Sequence, residues 1–102
     1  MVGGSMSGIN RNDMDVEIIK ALGDEARIDI LNIIGKKELN ASDIAAKCTL
    51  SRPTVSHHLQ ILKRARILEA RKEGKEIYYS VNMHTLKSLS QALLKFISMG
   101  FF

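Results

Sequence analysis

The sequence predicts a mostly helical α+β fold, in which one β-hairpin interrupts a series of short amphipathic helices. Three observations predict it. Apolar residues recur at helical spacing in several stretches, most of them opened by Asp, Asn or Ser. Strand-forming residues cluster only in 67–71 and 76–81, on either side of a glycine-containing turn. Two of the helical stretches are separated by Thr49 and Leu50 alone, which leaves room for a tight turn and nothing else.

Residues 1–12 read as a flexible leader, the first five (MVGGS) as an expression remnant or a tail, with Met6 a candidate start; residues 13–102 are expected to form a single domain. The first helix is expected over 13–22, with Met14, Ile18 and Leu22 on one stripe and Gly23 as its stop. Asp24 then caps a second over 25–34, in which Ile28, Leu31 and Ile34 recur and Gly35 ends the run, which marks it as a core helix. A third is expected over 40–48, with Asn40 as N-cap, Asp43 in the first turn, and Ile44, Ala45 and Cys48 as its apolar positions.

The stretch SRPTVSHHLQIL, 51–62, opens the fourth helix: Ser51 can cap it, Pro53 is tolerated in its first turn, and Val55, Leu59 and Leu62 fall on one side. With Val55 at the centre of the buried side, 3.6 residues per turn places Ser56, His57, Gln60 and Arg64 outward. Hydroxyl, imidazole, amide and guanidinium groups on one face suit base edges and phosphates in a DNA major groove. Arg52 and Thr54, in the first turn, are expected to join that contact surface. Adjacent His57 and His58 point about 100° apart on a helix, so they are not a metal pair; His57 is assigned to DNA and His58 to the seam beside Val55 and Leu62.

Strand residues 67–71 and 76–81 flank the turn Lys72, Glu73, Gly74 and Lys75, where Gly74 can supply a positive φ; this is a hairpin wing with a basic tip, and Arg71, Lys72 and Lys75 are its expected DNA contacts. Charge follows the same segment. The chain carries a formal net charge of +4. Between Lys47 and Glu76, however, Lys47, Arg52, Lys63, Arg64, Arg66, Arg71, Lys72 and Lys75 face only Glu69, Glu73 and Glu76, a surplus above that total. The remainder is therefore slightly acidic, and the positive charge sits on the helix-turn-helix and the wing, as a nucleic-acid binder requires.

Asn82 can cap a last helix over 83–98, whose side is lined by Leu86, Leu89, Leu93, Phe96 and Ile97 with Ala92 between them, before the chain finishes in Gly100, Phe101 and Phe102. That stripe is broad for 102 residues, which admits two readings: a helix packed wholly on its own domain, or a helix that pairs with another copy. No apolar run is long enough to span a bilayer and no secretory signal is evident, so the cytoplasm is the expected location. A Gly-rich phosphate loop, a nucleophile elbow and a spaced pair of acids are all missing, which argues against an enzyme, and no cofactor is expected.

The stretches ALGDEARIDIL, LSRPTVSHHLQIL and EGKEIYYSV, in that order, resemble the ArsR/SmtB family of winged helix-turn-helix repressors over most of 13–97. The resemblance implies a homodimeric repressor of operator DNA, in which the first and last helices pair across a two-fold axis through Met14, Ile18, Leu86, Leu89, Leu93, Phe96 and Ile97 and set two reading helices about one DNA turn apart. It also implies that any effector would act by lowering DNA affinity.

The departures from that family lie in its sensing sites. Where many members carry thiolate ligands in a run like ELCVCDL, this chain has ELNASDIA, with Asn40 and Ser42 in place of the cysteines. At the family's site on the last helix stand Asn82 and His84, then Lys95 and Ser98, too few donors for zinc. No metal site is therefore expected, and the effector is left unknown. Cys48, the only cysteine, excludes an intrachain disulfide and reads as a buried thiol. The alternatives are a thiol- or metal-responsive sensor using Cys48 or His84, and a winged-helix module that binds protein and has lost DNA binding; the basic wing and the polar helix face argue against the latter.

Overall fold

In the computed structural model, which describes residues 15–100, the chain runs α1 (Val16–Leu22), α2 (Glu25–Ile34), β1 (Leu39–Asn40), α3 (Ala41–Ala46), α4 (Arg52–Arg64), β2 (Leu68–Glu73), β3 (Glu76–Val81) and α5 (Met83–Gly100). Side-chain caps open the helices. Asp15 accepts from the amides of Glu17 and Ile18, Asp24 from those of Ala26 and Arg27, Ser51 from that of Thr54, and Asn82 from that of Thr85. Asn40 and Asp43 form a reciprocal capping box on α3. Each bond satisfies an amide that helix geometry leaves without a carbonyl partner. The first helix thus starts behind Asp15 and not at residue 13; Met14 lies outside the described residues, as do Phe101 and Phe102. The third helix ends at Ala46, so Cys48 sits in the turn that follows it, and the last helix runs to Gly100, past its expected end at 98.

The three strands are antiparallel in the order β1-β3-β2. β1 was not expected: two residues, Leu39 opposite Tyr79 and Asn40 opposite Tyr78, are too few to show an alternating pattern. The hairpin pairs Leu68 with Val81 through to Glu73 with Glu76, so its turn is Gly74 and Lys75, not the expected four residues 72–75. Gly74 has φ 62° and Lys75 a negative φ, the pattern of a type II′ hairpin turn, whose twist matches that of the strands. Lys72 is consequently a strand residue opposite Ile77.

The core is built around α4. Ile30 and Ile34 from α2, Ile44 from α3, Val55, Leu59 and Leu62 from α4, and Ile67 at the base of the wing are fully buried, each contributing about 1.5–3 kcal/mol relative to exposure. Ile18, Leu68, Tyr79 and Leu89 close the same cluster. The exit from α4 is tightly specified. Arg66 takes φ 65°, its amide bonds to the Lys63 carbonyl at 2.9 Å, and the Ile67 amide bonds to the Leu62 carbonyl at 2.9 Å, which together make a Schellman cap. Ile67 and Leu62 are both wholly buried, supplying the apolar contact of that motif and aiming the chain straight into β2.

Candidate nucleic-acid interface

On α4, Val55, His58, Leu59 and Leu62 are buried, whereas Arg52, Thr54, His57, Gln60, Lys63 and Arg64 are exposed. The face expected to point outward does so, with one correction: Ser56 is half-buried, because it sits on the flank of the helix between the two sides. Thr54 is exposed, but its hydroxyl accepts from the Ser51 hydroxyl at 2.9 Å, which ties it to the helix cap. His58 lies in the expected seam and has a partner that the sequence did not reveal, Arg27 of α2, whose Nη1 is 3.2 Å from its Nδ1. The same guanidinium reaches Asp24 at 3.7 Å. Desolvation pushes the Asp24 carboxyl up, but the Arg27 and Ala26 amides and the Arg27 charge together outweigh it and leave the group below its ordinary value.

The wing gives one expected contact residue partners within the chain. The sequence places Arg71 among the DNA contacts, and in the structure its guanidinium grips Glu38 through two bonds, Nη2 to Oε1 at 3.0 Å and Nε to Oε2 at 3.2 Å, and also pairs with Glu73. It lies 5.3 Å from the centre of the Tyr78 ring as well. The bond to Glu38, then that to Glu73, raise its pKa, while the Arg71 hydrogen bond holds Glu38 below its usual range. Two carboxylates therefore neutralise the charge expected to reach a phosphate. Lys72 and Lys75 are exposed and form no ion pair among the described residues.

The expected pairing stripe divides in two. Ile18 and Leu89 are 8% exposed and Leu86 packs against the core, so these three serve their own subunit, which corrects their assignment to an interface. Phe96 is half-buried. Exposed apolar side chains remain at Leu93, Leu94, Ile97 and Met99 on α5 and at Val16 and Ile19 on α1. The division runs along the helix: Leu86 and Leu89 join the core, whereas Leu93 and Ile97, one and two turns further along the same side, lie beyond it.

Neutral amides and a hydroxyl stand at Asn40, Ser42 and Asn82, where the family resemblance places metal ligands. Asn40 Oδ1 is taken by the Asp43 amide at 2.8 Å, Asn82 Oδ1 by the Thr85 amide at 3.3 Å, and Ser42 offers a neutral hydroxyl. Among the described residues no group of three or more His, Cys, Asp or Glu side chains could hold a metal. Cys48 is half-buried and points its thiol at the Ala45 carbonyl, 3.9 Å away. Also among the described residues, no helix is long and apolar enough to cross a membrane.

A family model described as bacterial regulatory protein, arsR family, matches residues 24–70, from the Asp24 cap through the wing's first strand. The chain is 37% identical over 83 residues to the transcriptional repressor SdpR of Bacillus subtilis (strain 168), covering 81% of this chain and 92% of that relative. The chain belongs to the ArsR family of bacterial regulatory proteins. Within that family it is also 41% identical over 81 residues to a cadmium resistance transcriptional regulatory protein, a CadC homolog from Staphylococcus aureus, covering 78% of this chain and 67% of that one.

Solved ArsR-type structures agree on the architecture. An ArsR-like transcriptional regulator from Rhodococcus sp. RHA1 superposes with a TM-score of 0.76 at 29% identity, covering 81% of this chain and 78% of that one. The homodimeric winged helix-turn-helix DNA-binding domain of a possible ArsR-family regulator from Mycobacterium bovis, determined in solution, matches with a TM-score of 0.71 at 25% identity, covering 100% of this chain and 96% of that one. The fold is accordingly a winged helix-turn-helix, with α3 and α4 as its two helices and β2 and β3 as the wing. Among the features of this ArsR-family chain that escaped sequence reasoning are β1, the Arg27 to His58 contact, the Arg71 to Glu38 pair and the left-handed Arg66. The residue types alone offered no signal for the second, because its partners are 31 positions apart.

Proposed function

We propose that this ArsR-family protein is a sequence-specific DNA-binding transcriptional regulator, a homodimeric repressor that acts in the cytoplasm by binding and not by catalysis. The observation that supports it best is α4 itself: a helix buried on one side by Val55, Leu59 and Leu62 that presents His57, Gln60 and Arg64 to solvent on the other. In this reading α4 enters the major groove, where His57 and Gln60 read base edges and Arg52, Thr54 and Arg64 hold the flanking backbone. The wing adds phosphate contacts through Lys72 and Lys75, and Ser56 makes at most an edge contact. The exposed Leu93, Leu94 and Ile97 of α5, with Val16 and Ile19 of α1, support pairing of two copies, as in the homodimeric Mycobacterium bovis domain. Two reading heads then meet a two-fold operator. The family's usual metals are not its signal, since Asn40, Ser42, Asn82, Lys95 and Ser98 stand at the ligand positions.

Fluorescence anisotropy with fragments of its own promoter against random DNA tests the reading. His57→Ala and Gln60→Ala are expected to lower the preference for the operator by about 1–3 kcal/mol each while leaving the fold intact. Unchanged preference in both variants places the reading surface elsewhere. Calorimetric titration with zinc or cadmium is expected to show no tight stoichiometric binding; tight binding that His84→Ala abolishes makes the protein a metal sensor.

A further inference from the structure

Arg27 joins three helices. Its Nε donates to the Ala21 carbonyl at 2.6 Å and its Nη2 to the Lys20 carbonyl at 3.5 Å, both in the last turn of α1, while Nη1 lies 3.2 Å from His58 Nδ1 on α4. The side chain is 13% exposed, so these bonds are largely shielded from water. A guanidinium is always protonated and only donates. Nδ1 of His58 must therefore accept, which makes the ring the neutral tautomer with its proton on Nε2. A protonated ring has no acceptor to offer and would meet a permanent cation in the same place.

The groups around the ring do not change that conclusion. From α2 and its cap, Arg27 and Asp24 face it; from α4 comes His57, with ring centres 5.8 Å apart; the α1 carbonyls of Lys20 and Ala21 are engaged by Arg27. Among the described residues no hydrogen bond or ion pair reaches the ring from α3 or β2, which also pack on α4. Asp24 is already committed. Its Oδ1 accepts two amides and its Oδ2 lies 3.7 Å from Arg27, so one carboxylate would have to balance two cations.

We propose that Arg27 and His58 are positioning residues that hold the DNA-facing helix α4 against α1, and that they hold it only while His58 is neutral, so that acidification releases α4 and weakens operator binding. The inference rests on the DNA-binding reading above. It links the two working surfaces: α1 carries the exposed Val16 and Ile19 of the pairing face, and one guanidinium connects its last turn to the helix that carries His57 and Gln60.

The test is operator affinity of the full chain by anisotropy at about pH 8 and about pH 5.5, a range in which imidazoles titrate, at fixed ionic strength. Wild type is compared with His58→Asn, whose Oδ1 takes the place of Nδ1 and does not titrate, and with Arg27→Met. Between the two pH values wild type is expected to lose roughly tenfold more affinity than His58→Asn, the loss that one charge-assisted hydrogen bond represents. The exposed His57 is present in both proteins, so its contribution cancels from the comparison. Arg27→Met is expected to be weak at both pH values. Equal pH dependence in wild type and His58→Asn overturns the proposal, because a merely structural histidine gives that result.

Nitrogen NMR of the wild-type ring needs no variant. The Nε2–H tautomer is expected at about pH 8, and an Nδ1–H or charged ring there overturns the proposal. Should wild type bind no operator at about pH 8, the DNA-binding reading fails instead. The coupling is then decided by hydrogen exchange: protection of α4 that drops on acidification in wild type but not in His58→Asn supports it, and equal protection refutes it.

Discussion

Arg71 and Glu38 face each other as a two-pronged pair, with Nη2 to Oε1 at 3.0 Å and Nε to Oε2 at 3.2 Å, and so fasten the wing's first strand to the residue that precedes β1. A cation that sequence reasoning gave to DNA is thereby engaged within the protein, and the wing's free positive charge is left to Lys72 and Lys75. That division can be measured. Neutralising Lys72 and Lys75 together to Gln is expected to weaken binding to all DNA sequences and to reduce the slope of log affinity against log salt by up to about two units, because each phosphate contact releases roughly 0.9 of a counterion. Arg71→Gln is expected to leave the slope nearly unchanged. Glu38→Gln, which loosens Arg71, is expected to steepen it by up to about one unit. An Arg71→Gln slope change as large as that of either lysine shows that the pair opens on DNA.

Acid should weaken the fold through the same kind of contact. Asp24 and Glu38 both sit below their ordinary carboxyl values of 3.8 and 4.5 in the folded chain. Groups depressed by folding contribute stability that is complete above the unfolded values and is lost as pH falls through the folded ones. Urea midpoints of wild type and of Asp24→Asn with Glu38→Gln are therefore expected to differ at neutral pH and to converge well below 3.8. A gap that persists in acid assigns the difference to packing instead of ionisation.

Arg66 holds a left-handed backbone conformation, φ 65°, at the Schellman cap of α4. That conformation costs an L-residue roughly 1–2 kcal/mol, part of which glycine returns as greater freedom of the unfolded chain. Arg66→Gly is expected to raise stability by about 1 kcal/mol, read as a higher urea midpoint at unchanged slope. A fall in stability locates a contact of the Arg66 side chain that outweighs its backbone cost.

The two halves of the last helix should respond differently to substitution. Leu93→Glu with Ile97→Glu, on the exposed face, is expected to convert a dimer to a folded monomer, seen by sedimentation at unchanged helical content. Leu89→Ala, which opens a cavity in the core, is expected to cost about 2–5 kcal/mol of stability and to leave assembly intact at low temperature. A double variant that still sediments as a dimer moves the interface off α5.

Local chemistry settled much of this protein before any contact was known. Asp24, Asn40, Ser51 and Asn82 cap the helices they precede, and the apolar spacing of Val55, Leu59 and Leu62 orients α4, because capping and helical periodicity act within one or two turns of chain. The hairpin and the basic segment were legible for the same reason, as were the three motifs that resemble the ArsR family. Tertiary structure alone decided which cations are free, which leucines the core retains, and what His58 meets. Arg71 finds Glu38 across 33 positions and Arg27 finds His58 across 31, and β1 exists only because Tyr78 and Tyr79 offer it an edge. Such pairings depend on where whole elements dock, and burial of the fully enclosed core side chains sets that docking. A residue's own type and its neighbours in sequence carry no record of a partner that packing brings to it from another helix or strand.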